Sequence, residues 1–496
     1  MKRRFAKSMA LLLMMAMLPM ALSAEGVMDD PTDFDYSRWA DTDMDSYRDL
    51  SIEALRAREY GSRISLVGWL GQAGGENEYQ ASFSIDGTPT YNTYMAAYMS
   101  DGNRVYTRVD VPATPMPEGG YPVAIFLHGW VGEAAAPDYT MNYYANSYYG
   151  DIIDAYADAG FVVLMPALRG HATVDGVPGE GIEFLTKFDN GSYSGPLFYT
   201  IDTLNLIDGL YTLNSIDWSV WGFDAADSVK VDLSSINLAG HSQNGDALLN
   251  VLAVSGEGSS LDYPVSSGAI WSGCFPDRIT QCNTYGLMEQ STEAFKAGSQ
   301  EEVEWNGTPV GSDGSVNPNF VFGFPPDWIG TIDPAEWGWQ ADYFGKSVEE
   351  RLVTKFGEMY RTLNNQFADV DGISFEVVRE DDGRVLIEHD PLVEDYSFIV
   401  SGFNYPQYLV DEDVIMHFSD QDFYSFPEWN YALEEKINAA GGNAKAYLYP
   451  ENSHSITKSS YEWFDPDNSA IAGRRYAIER DIALFSGRDP DRITYP

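Results

Sequence analysis

The sequence predicts an α/β protein with a mostly parallel central sheet, helices on both faces and an inserted cap subdomain. Two observations lead to this prediction. From residue 121 onwards, short and almost continuously apolar runs alternate with helical stretches, which is typical of parallel strands buried on both faces. Residues 291–407 then break the alternation, and this stretch is too long for a simple connection between two strands.

The predicted elements follow in order along the chain. A short helix and three alternating segments, typical of antiparallel strands, are predicted at 51–60, 79–85, 91–98 and 104–111. The apolar runs predicted as parallel strands are 123–127, 161–165, 236–239, 269–271, 414–417 and 446–449. The predicted helices of this part are 150–159, 199–213, 246–254, Pro427–Ala440 and 471–485. Gly441 and Gly442 are expected to end the fourth of these helices.

The insertion is rich in aromatic side chains between residues 320 and 344. These side chains form either a lid over a substrate or the insertion's own small core, and the sequence leaves both open. Further on, Asp382 and Gly383 separate two β-rich runs and predict a hairpin. The predicted division of the chain is a signal peptide at 1–24, an acidic segment with a short helix at 25–75, the core at 76–290 and 408–496, and the cap at 291–407.

The N-terminus has the pattern of an export signal. A basic start precedes an apolar run at 10–22, which the small residues Ser23 and Ala24 close. The basic residues are Lys2, Arg3, Arg4 and Lys7. This order is typical of a cleaved signal peptide, and the run is short for a membrane anchor of about 20 residues. We therefore expect a secreted or periplasmic protein that does not stay in the membrane.

Net charge argues against one class of partner. The 496 residues include 75 Asp and Glu but only 30 Lys and Arg, which gives a formal net charge of −45. Removal of the predicted signal peptide takes away four cations and leaves about −49. A field of this sign repels phosphate backbones and anionic lipids. Nucleic-acid binding is therefore not expected, and anionic substrates are disfavoured.

Cysteine and histidine usage bears on disulfides and metals. Cys274 and Cys282 lie close together in the sequence, so in an oxidising compartment we expect a local disulfide; two buried thiols are the alternative. None of the six histidines has the spacing of metal ligands. Residues 369–372 resemble the start of a calcium loop but lack its later ligands, so they predict a turn. No metal or cofactor is expected.

The strongest motif is Gly-His-Ser-Gln-Asn-Gly at residues 240–245, between a predicted strand and a predicted helix. This context is typical of the nucleophile elbow of α/β-hydrolases, in which a strained turn lifts a serine above the sheet. Ser242 is therefore the predicted nucleophile. The second glycine of the usual G-x-S-x-G pattern is Asn244 here, and Gly245 follows one position later. The alternative is a serine that only caps a buried helix.

A serine hydroxyl needs a base, usually a histidine oriented by a carboxylate. In α/β-hydrolases the acid and then the base follow the nucleophile along the chain. His454 lies after the predicted strand 446–449 and is the predicted base. The loop after strand 414–417 offers Asp422 as the preferred acid and Asp420 as the alternative.

The tetrahedral intermediate of acyl transfer needs backbone N–H donors. One predicted donor is the N–H of Gln243, directly after the nucleophile. The other is the N–H of Trp130, in the loop after strand 123–127. The ring of Trp130 is also a candidate for lining the substrate pocket, whereas His128 is expected to be structural.

Several segments together resemble the prolyl oligopeptidase-type serine peptidases, especially single-chain bacterial dipeptidyl and acylaminoacyl peptidases. The similar segments are 51–60, 119–122, 126–129, 168–171, 199–205, 240–245 and 449–450 with His454. The resemblance implies an α/β-hydrolase fold in which Ser242 is the nucleophile, His454 the general base and acid, and Asp422 the orienting acid. It also implies action on peptides without a cofactor.

Two features depart from that family. The insertion is longer than the family pattern, and only about 100 residues of the mature chain precede Tyr121, too few for the propeller of larger relatives. Fold and triad do not choose between amide and ester substrates. The leading expectation is therefore a secreted serine peptidase, with a carboxylesterase of feruloyl or polyester type as the alternative. A second alternative is an inactive secreted binding protein, which only Asn244 favours.

Overall fold

The computed structural model describes residues 45–72, 91–131, 149–174, 176–187, 197–221, 228–291, 347–420, 422, 424–450, 452, 454–457 and 473–496. The predicted signal peptide, the predicted strand 79–85 and the aromatic stretch 320–344 lie outside these residues. Within the described residues, no helix has both the length and the apolar character that crossing a membrane requires.

The strands of the described part form one large sheet and two ribbons. The sheet strands are β1 (Ser65–Gln72), β2 (Tyr91–Ser100), β3 (Asn103–Pro112), β4 (Tyr121–Leu127), β5 (Val162–Pro166), β8 (Val231–His241), β9 (Ser267–Trp271), β12 (Asp413–Phe418) and β13 (Asn443–Leu448). The ribbons pair β6 (Thr173–Val174) with β7 (Val177–Pro178) and β10 (Glu376–Arg379) with β11 (Val385–Glu388).

Helices connect these strands. The α-helices are α1 (Ile52–Ala57), α2 (Gly150–Asp158), α3 (Ile182–Lys187), α4 (Leu197–Gly209), α5 (Gln243–Ser255), α6 (Arg278–Ser291), α7 (Val348–Gln366), α8 (Pro391–Ile399), α9 (Pro427–Ala440) and α10 (Gly473–Phe485). The short 3-10 helices are Tyr47–Leu50, Leu210–Ser215, Trp218–Trp221, Gly402–Asn404, Pro406–Tyr408 and Pro490–Arg492.

The sheet order is β1-β2-β3-β5-β4-β8-β9-β12-β13. The pairs from β1 to β5 are antiparallel, and all pairs from β5 to β13 are parallel. Every residue of β5 and β9 is buried, as expected for strands covered by helices on both faces. The predicted fold class is therefore confirmed.

The boundaries of several elements differ from the prediction. β1 was not expected, because Gly68 and Gly71 interrupt its alternation; the register with β2 shifts at both places. The helix predicted at 199–213 ends at Gly209 and continues as a 3-10 turn. All of α4 is buried, including Asp202, whose carboxylate pairs with Arg169 at 2.6 Å. A buried ion pair of this kind is not visible in a hydrophobic pattern.

Two local predictions are confirmed, namely the end of helix α9 at Gly441 and the hairpin at Asp382 and Gly383. α9 ends at Gly441, which has a φ of 101° and caps the helix in the left-handed conformation. β10 and β11 form the predicted hairpin around Asp382 and Gly383. The Asp382 side chain accepts a hydrogen bond from the Arg384 backbone N–H at 3.1 Å, which is the local bonding that favours Asp in turns.

The described residues between β9 and β12 lie outside the sheet. α7 packs against α6, and the Arg351 Nε donates to the Gly286 carbonyl at 3.2 Å. α7 begins with a capping box between Ser347 and Glu350, which satisfies backbone N–H groups of its first turn. The role of this region as a cap over a substrate stays a prediction.

The expected disulfide is wrong, because both cysteines are buried free thiols. Cys274 donates to the Tyr424 carbonyl at 3.2 Å, whereas Cys282 lies on α6 and faces the Lys355 carbonyl on α7 at 3.8 Å. The two side chains thus meet different elements although they are near in sequence. Burial raises the pKa of each thiol to about 12, which keeps both protonated at neutral pH.

The N-terminal helix α1 supports the far end of α5. The Arg56 guanidinium donates to the Ala253 carbonyl at 2.6 Å and to the Gly256 carbonyl at 3.3 Å. These carbonyls belong to the C-terminal end of α5 or follow it, where carbonyl groups lack helical partners. A cation at this end also interacts favourably with the helix dipole. The chain before the sheet therefore stabilises the helix that begins at the predicted elbow.

Candidate active site

Ser242 lies in the sharp turn between β8 and α5. Its φ of 59° and ψ of −123° are unusual for a residue with a side chain and are typical of strained backbone at functional sites. The turn is held by the Ser242 N–H, which donates to the Trp271 carbonyl at 2.8 Å. The Ser242 carbonyl accepts from the N–H groups of Gly245 (2.9 Å) and Cys274 (3.1 Å).

Gly245, not residue 244, meets the demand for a small residue at this turn. A Cβ at Gly245 would lie 2.6 Å from the Gly273 Cα, so a side chain there requires the backbone to shift. Asn244 is fully buried, and its side-chain amide donates a short hydrogen bond to the His128 carbonyl. The departure from G-x-S-x-G therefore leaves the elbow geometry intact and links α5 to the loop after β4.

The predicted nucleophile, base and acid are joined by hydrogen bonds. His454 Nε2 lies 2.8 Å from Ser242 Oγ, and His454 Nδ1 lies 2.8 Å from Asp422 Oδ2. Asp422 is fully buried and His454 is 6% exposed. The other oxygen of Asp422 accepts from the N–H groups of Tyr424 (2.8 Å) and Ser425 (3.2 Å). A carboxylate held in this way fixes the imidazole with its N–H on Nδ1 and its lone pair towards the serine.

The two candidate acids are thus in different places. Asp422 contacts the imidazole, whereas Asp420 lies near Tyr431 of α9 and contributes to raising its pKa, after burial and Glu434. The ring of Tyr424 packs 4.8 Å from that of His454, between centroids. The catalytic roles of Ser242, His454 and Asp422 stay predictions, but their side chains are arranged as those roles require.

The loop after β4, residues 128–130, approaches the nucleophile from the other side; we call it the oxyanion loop. A Cβ at Gly129 would lie 3.4 Å from the Ser242 Cβ, so Trp130 follows directly beside the serine. The Trp130 side chain is 49% exposed, whereas Gln243 is buried at the start of α5. The use of the Gln243 and Trp130 N–H groups as oxyanion donors stays a prediction.

Two residues near the nucleophile were not recognised from the sequence. Tyr149 precedes α2 and hydrogen-bonds Gly129 N and His241 Nδ1, each at 2.8 Å. His241 was seen only as part of the elbow motif, and its Nε2 lies 3.0 Å from the His454 carbonyl. No sequence motif marks Tyr149, because the groups it joins are far apart along the chain.

Helix α10 contacts strand β12, which precedes Asp422, and the loop that carries His454. The Asp481 carboxylate lies 2.8 Å from His417 Nε2 of β12 and accepts from Trp271 Nε1 of β9 at 2.8 Å. At the start of α10, the Arg474 N–H donates to the Ile456 carbonyl at 2.7 Å. The strand ends that lead into the site are thereby tied to the C-terminal helix.

No group of three or more potential metal ligands of the His, Cys, Asp and Glu types occurs among the residues that the structure describes. The three hydrogen-bonded side chains are a hydroxyl, an imidazole and a carboxylate, the groups predicted as nucleophile, base and orienting acid. This set suits acyl transfer to a serine.

No protein-family model and no curated protein matches the chain. Acetyl xylan esterase 1 from Thermoanaerobacterium sp. JW/SL YS485 is similar in structure with 15% identity, 83% of this chain and 87% of that chain covered, and a TM-score of 0.37. An esterase from Pseudomonas putida ECU1011 is similar with 13% identity, 81% of this chain and 84% of that chain covered, and a TM-score of 0.40. An acylaminoacyl peptidase from Pyrococcus horikoshii is similar with 12% identity, 82% of this chain and 44% of that chain covered, and a TM-score of 0.43.

These likenesses are distant in sequence. The strand order and the strained strand-to-helix turn at Ser242 identify the fold without these likenesses. The chain has the α/β-hydrolase fold.

Proposed function

We propose that this chain is an exported serine hydrolase that cleaves an acyl bond through a covalent acyl-enzyme. One observation carries the proposal: Ser242 Oγ, His454 and Asp422 form a continuous series of hydrogen bonds, each 2.8 Å long, at a strained strand-to-helix turn. Export is supported by the basic and apolar pattern of residues 1–24.

In the first half-reaction, Ser242 Oγ attacks the substrate carbonyl carbon while His454 Nε2 takes the hydroxyl proton. The new C–O bond forms as the carbonyl π bond opens, and the N–H groups of Gln243 and Trp130 hold the oxygen anion. Asp422 stabilises the imidazolium through Nδ1–H. His454 then gives its proton to the leaving alcohol or amine as the bond to that group breaks.

In the second half-reaction, a water molecule takes the place of the leaving group. His454 removes a proton from the water, whose oxygen attacks the acyl carbon, and returns the proton to Ser242 Oγ as the acid is released. Every proton goes through one imidazole, which suits a histidine that contacts both the serine and the carboxylate.

Labelling with a fluorophosphonate tests this proposal. We expect the wild-type protein to be modified at Ser242, and the Ser242→Ala variant to stay unlabelled and to lose at least about 10⁴-fold in kcat. Ser272→Ala is a suitable control, since that serine also directly follows a sheet strand but is fully buried. If the wild type stays unlabelled, the chain is an inactive binding protein and the proposal is wrong.

The substrate class is either peptide amides, as the resemblance to prolyl oligopeptidase-type peptidases implies, or carboxylic esters. Parallel assays of aminoacyl p-nitroanilides and short p-nitrophenyl esters separate the two. A peptidase hydrolyses both the anilides and the esters, because its site also protonates an amine leaving group. An esterase hydrolyses only the esters. The charge of about −49 favours neutral or cationic substrates in either case.

A further inference from the structure

Behind the nucleophile, one buried series of hydrogen bonds joins the two loops that flank it. The Gly129 N–H donates to the Tyr149 hydroxyl at 2.8 Å, and that hydroxyl lies 2.8 Å from His241 Nδ1. His241 Nε2 lies 3.0 Å from the backbone carbonyl oxygen of His454. Tyr149 and His241 are only 1% and 3% exposed. The oxyanion loop and the loop of the proposed base are thus connected through two side chains.

The backbone groups at the two ends determine the direction of every hydrogen bond. The His454 carbonyl only accepts, so His241 Nε2 carries the proton. A neutral imidazole has one N–H, so Nδ1 accepts from the Tyr149 hydroxyl, whose oxygen accepts from Gly129. Burial, followed by the nearby His454, lowers the pKa of His241 well below its usual range. The neutral ring therefore satisfies this arrangement.

Packing leaves little freedom at the centre of this series. A Cβ at Gly129 would lie 3.0 Å from both His241 Nδ1 and the Tyr149 hydroxyl oxygen. The rings of His241 and His454 are 4.7 Å apart between centroids, and Phe126 packs 4.7 Å from Tyr149. A shift of the Tyr149 or His241 ring therefore moves the oxyanion loop.

The peptide between Gly129 and Trp130 follows a glycine whose N–H and carbonyl groups both have hydrogen-bond partners. Its carbonyl oxygen lies 2.7 Å from His128 Nδ1, while the Gly129 N–H is held by Tyr149. In a planar trans peptide the next N–H points away from the carbonyl. The direction of the Trp130 N–H, the predicted oxyanion donor, is therefore set by these contacts.

We infer that Tyr149 and His241 are positioning residues, which keep the oxyanion loop at a fixed position relative to the loop of His454 on the other side of Ser242. The inference rests on the proposed function. Neither side chain touches the reacting atoms, so both act through the loops that they hold. Their hydrogen bonds meet the Gly129 N–H and the His454 carbonyl, and the His241 ring packs against the His454 ring. Their loss should misplace an oxyanion donor relative to the base, which lowers the rate of the chemical step more than substrate binding.

Kinetics of Tyr149→Phe, His241→Gln and the double variant on a p-nitrophenyl ester test the inference. We expect each single change to lower kcat by about 10- to 100-fold while KM changes by less than about threefold. Because both residues act in one series, the double variant should be within about twofold of the worse single variant. Tyr60→Phe is the matched control: Tyr60 is equally buried and loses one hydrogen bond, to the Leu55 carbonyl, away from the site.

A ¹⁵N spectrum of the histidines at pH 7 gives a second readout that does not need turnover. We expect His241 in the wild type to carry its proton on Nε2, and Tyr149→Phe to shift the Nδ1 resonance. The His241→Gln variant assigns the signal. His241→Asn supplies the assignment if His241→Gln does not fold.

The outcomes separate the two proposals. An active wild type whose His241 is protonated on Nδ1, or single-variant losses in kcat that multiply in the double variant, overturns the positioning role alone. A loss in Tyr60→Phe as large as that in Tyr149→Phe does the same, since it indicates general destabilisation. A wild type that hydrolyses no ester or amide and resists fluorophosphonate overturns the proposed function and the positioning role with it.

Discussion

Ser242 and His454, the proposed nucleophile and base, lie at the same edge of the sheet, but different elements of the fold hold them. Around Ser242 the contacts come from its own motif and from the adjacent strand β9: the Gly245 N–H returns to the Ser242 carbonyl, and the backbone groups of Trp271 and Cys274, at and just after the end of β9, bond the Ser242 backbone. The turn is thus built by a short motif and one neighbouring strand.

The loop of His454 is held instead by a helix, α10. The side-chain oxygen of Asn452 accepts from the Gly473 N–H at 2.9 Å, and Arg474 donates to the carbonyls of Ser455 (3.2 Å) and Ile456 (2.7 Å). These contacts come from the start of α10, after residues 458–472, which lie outside the described part. Changes at the start of α10 should therefore affect the proposed base more than the elbow.

The largest expected effect concerns the acid that orients the base. Asp422→Asn should lower kcat by about 10⁴-fold, because an amide favours the wrong imidazole tautomer. Asp420→Asn is the matched control in the same loop and should stay within about twofold of wild type. Steady-state kinetics on an ester measure both. A larger loss in Asp420→Asn would reverse the assignment of the acid.

Asp481→Asn tests the long-range support of the base side. Asp481 is fully buried and accepts from Trp271 and Tyr156, while its other oxygen contacts His417. The amide offers one acceptor oxygen fewer, so we expect a loss of about 2–3 kcal/mol in the free energy of unfolding. We also expect kcat to fall several-fold. Denaturant titration measures the first effect.

The control for that change is Asp489→Asn, since Asp489 is exposed in the same C-terminal region, where it caps a short turn and pairs with the exposed Arg492. It should change the free energy of unfolding by about 0.5 kcal/mol or less. Equal effects of the two substitutions would contradict a supporting role for Asp481.

Gly245→Ala tests the local support of the elbow. Its Cβ would meet the Gly273 Cα at 2.6 Å, so we expect a loss of about 1–3 kcal/mol from overpacking and slower labelling of Ser242. Gly357 in α7 is the matched control, because a Cβ there meets nothing within 4 Å. Gly357→Ala should increase stability by up to about 1 kcal/mol through helix propensity. Similar results at both glycines would show that the elbow tolerates a side chain.

The change with the smallest expected effect on catalysis concerns the pH dependence of stability, at the far end of α5. Burial, and then the neighbouring Asp411, raises the pKa of Glu412 to about 8. The unfolded chain releases this proton near pH 4.5, and the folded chain only near pH 8. The free energy of unfolding should therefore fall as pH rises across this window.

Glu412→Gln removes this contribution, so the variant should lose less thermal stability than wild type between pH 5 and pH 8.5. Glu435→Gln, exposed on α9, is the control and should behave as wild type. Thermal unfolding at both pH values measures the difference. If wild type and Glu412→Gln decline equally, the Glu412 carboxyl does not cause the dependence.

Much of the fold was predictable, since the hydrophobic period of each element is local. The parallel strands, α9 with its Gly441 cap and the hairpin at Asp382 follow from short patterns. β1 was missed, because its glycines break the alternation that marks a strand. The disulfide was predicted wrongly, because the separation of Cys274 and Cys282 along the chain does not tell which elements their side chains face.

The sequence by itself determined the fold class, the strained turn at Ser242 and the order of serine, acid and histidine, because each depends on residue type and spacing over a few positions. Only the tertiary structure decided which aspartate meets His454, that Asn244 reaches the oxyanion loop, and that Tyr149 and His241 join that loop to the base. Those contacts link residues up to 213 positions apart. Their geometry depends on how strands and helices pack, and no short stretch of sequence contains that information.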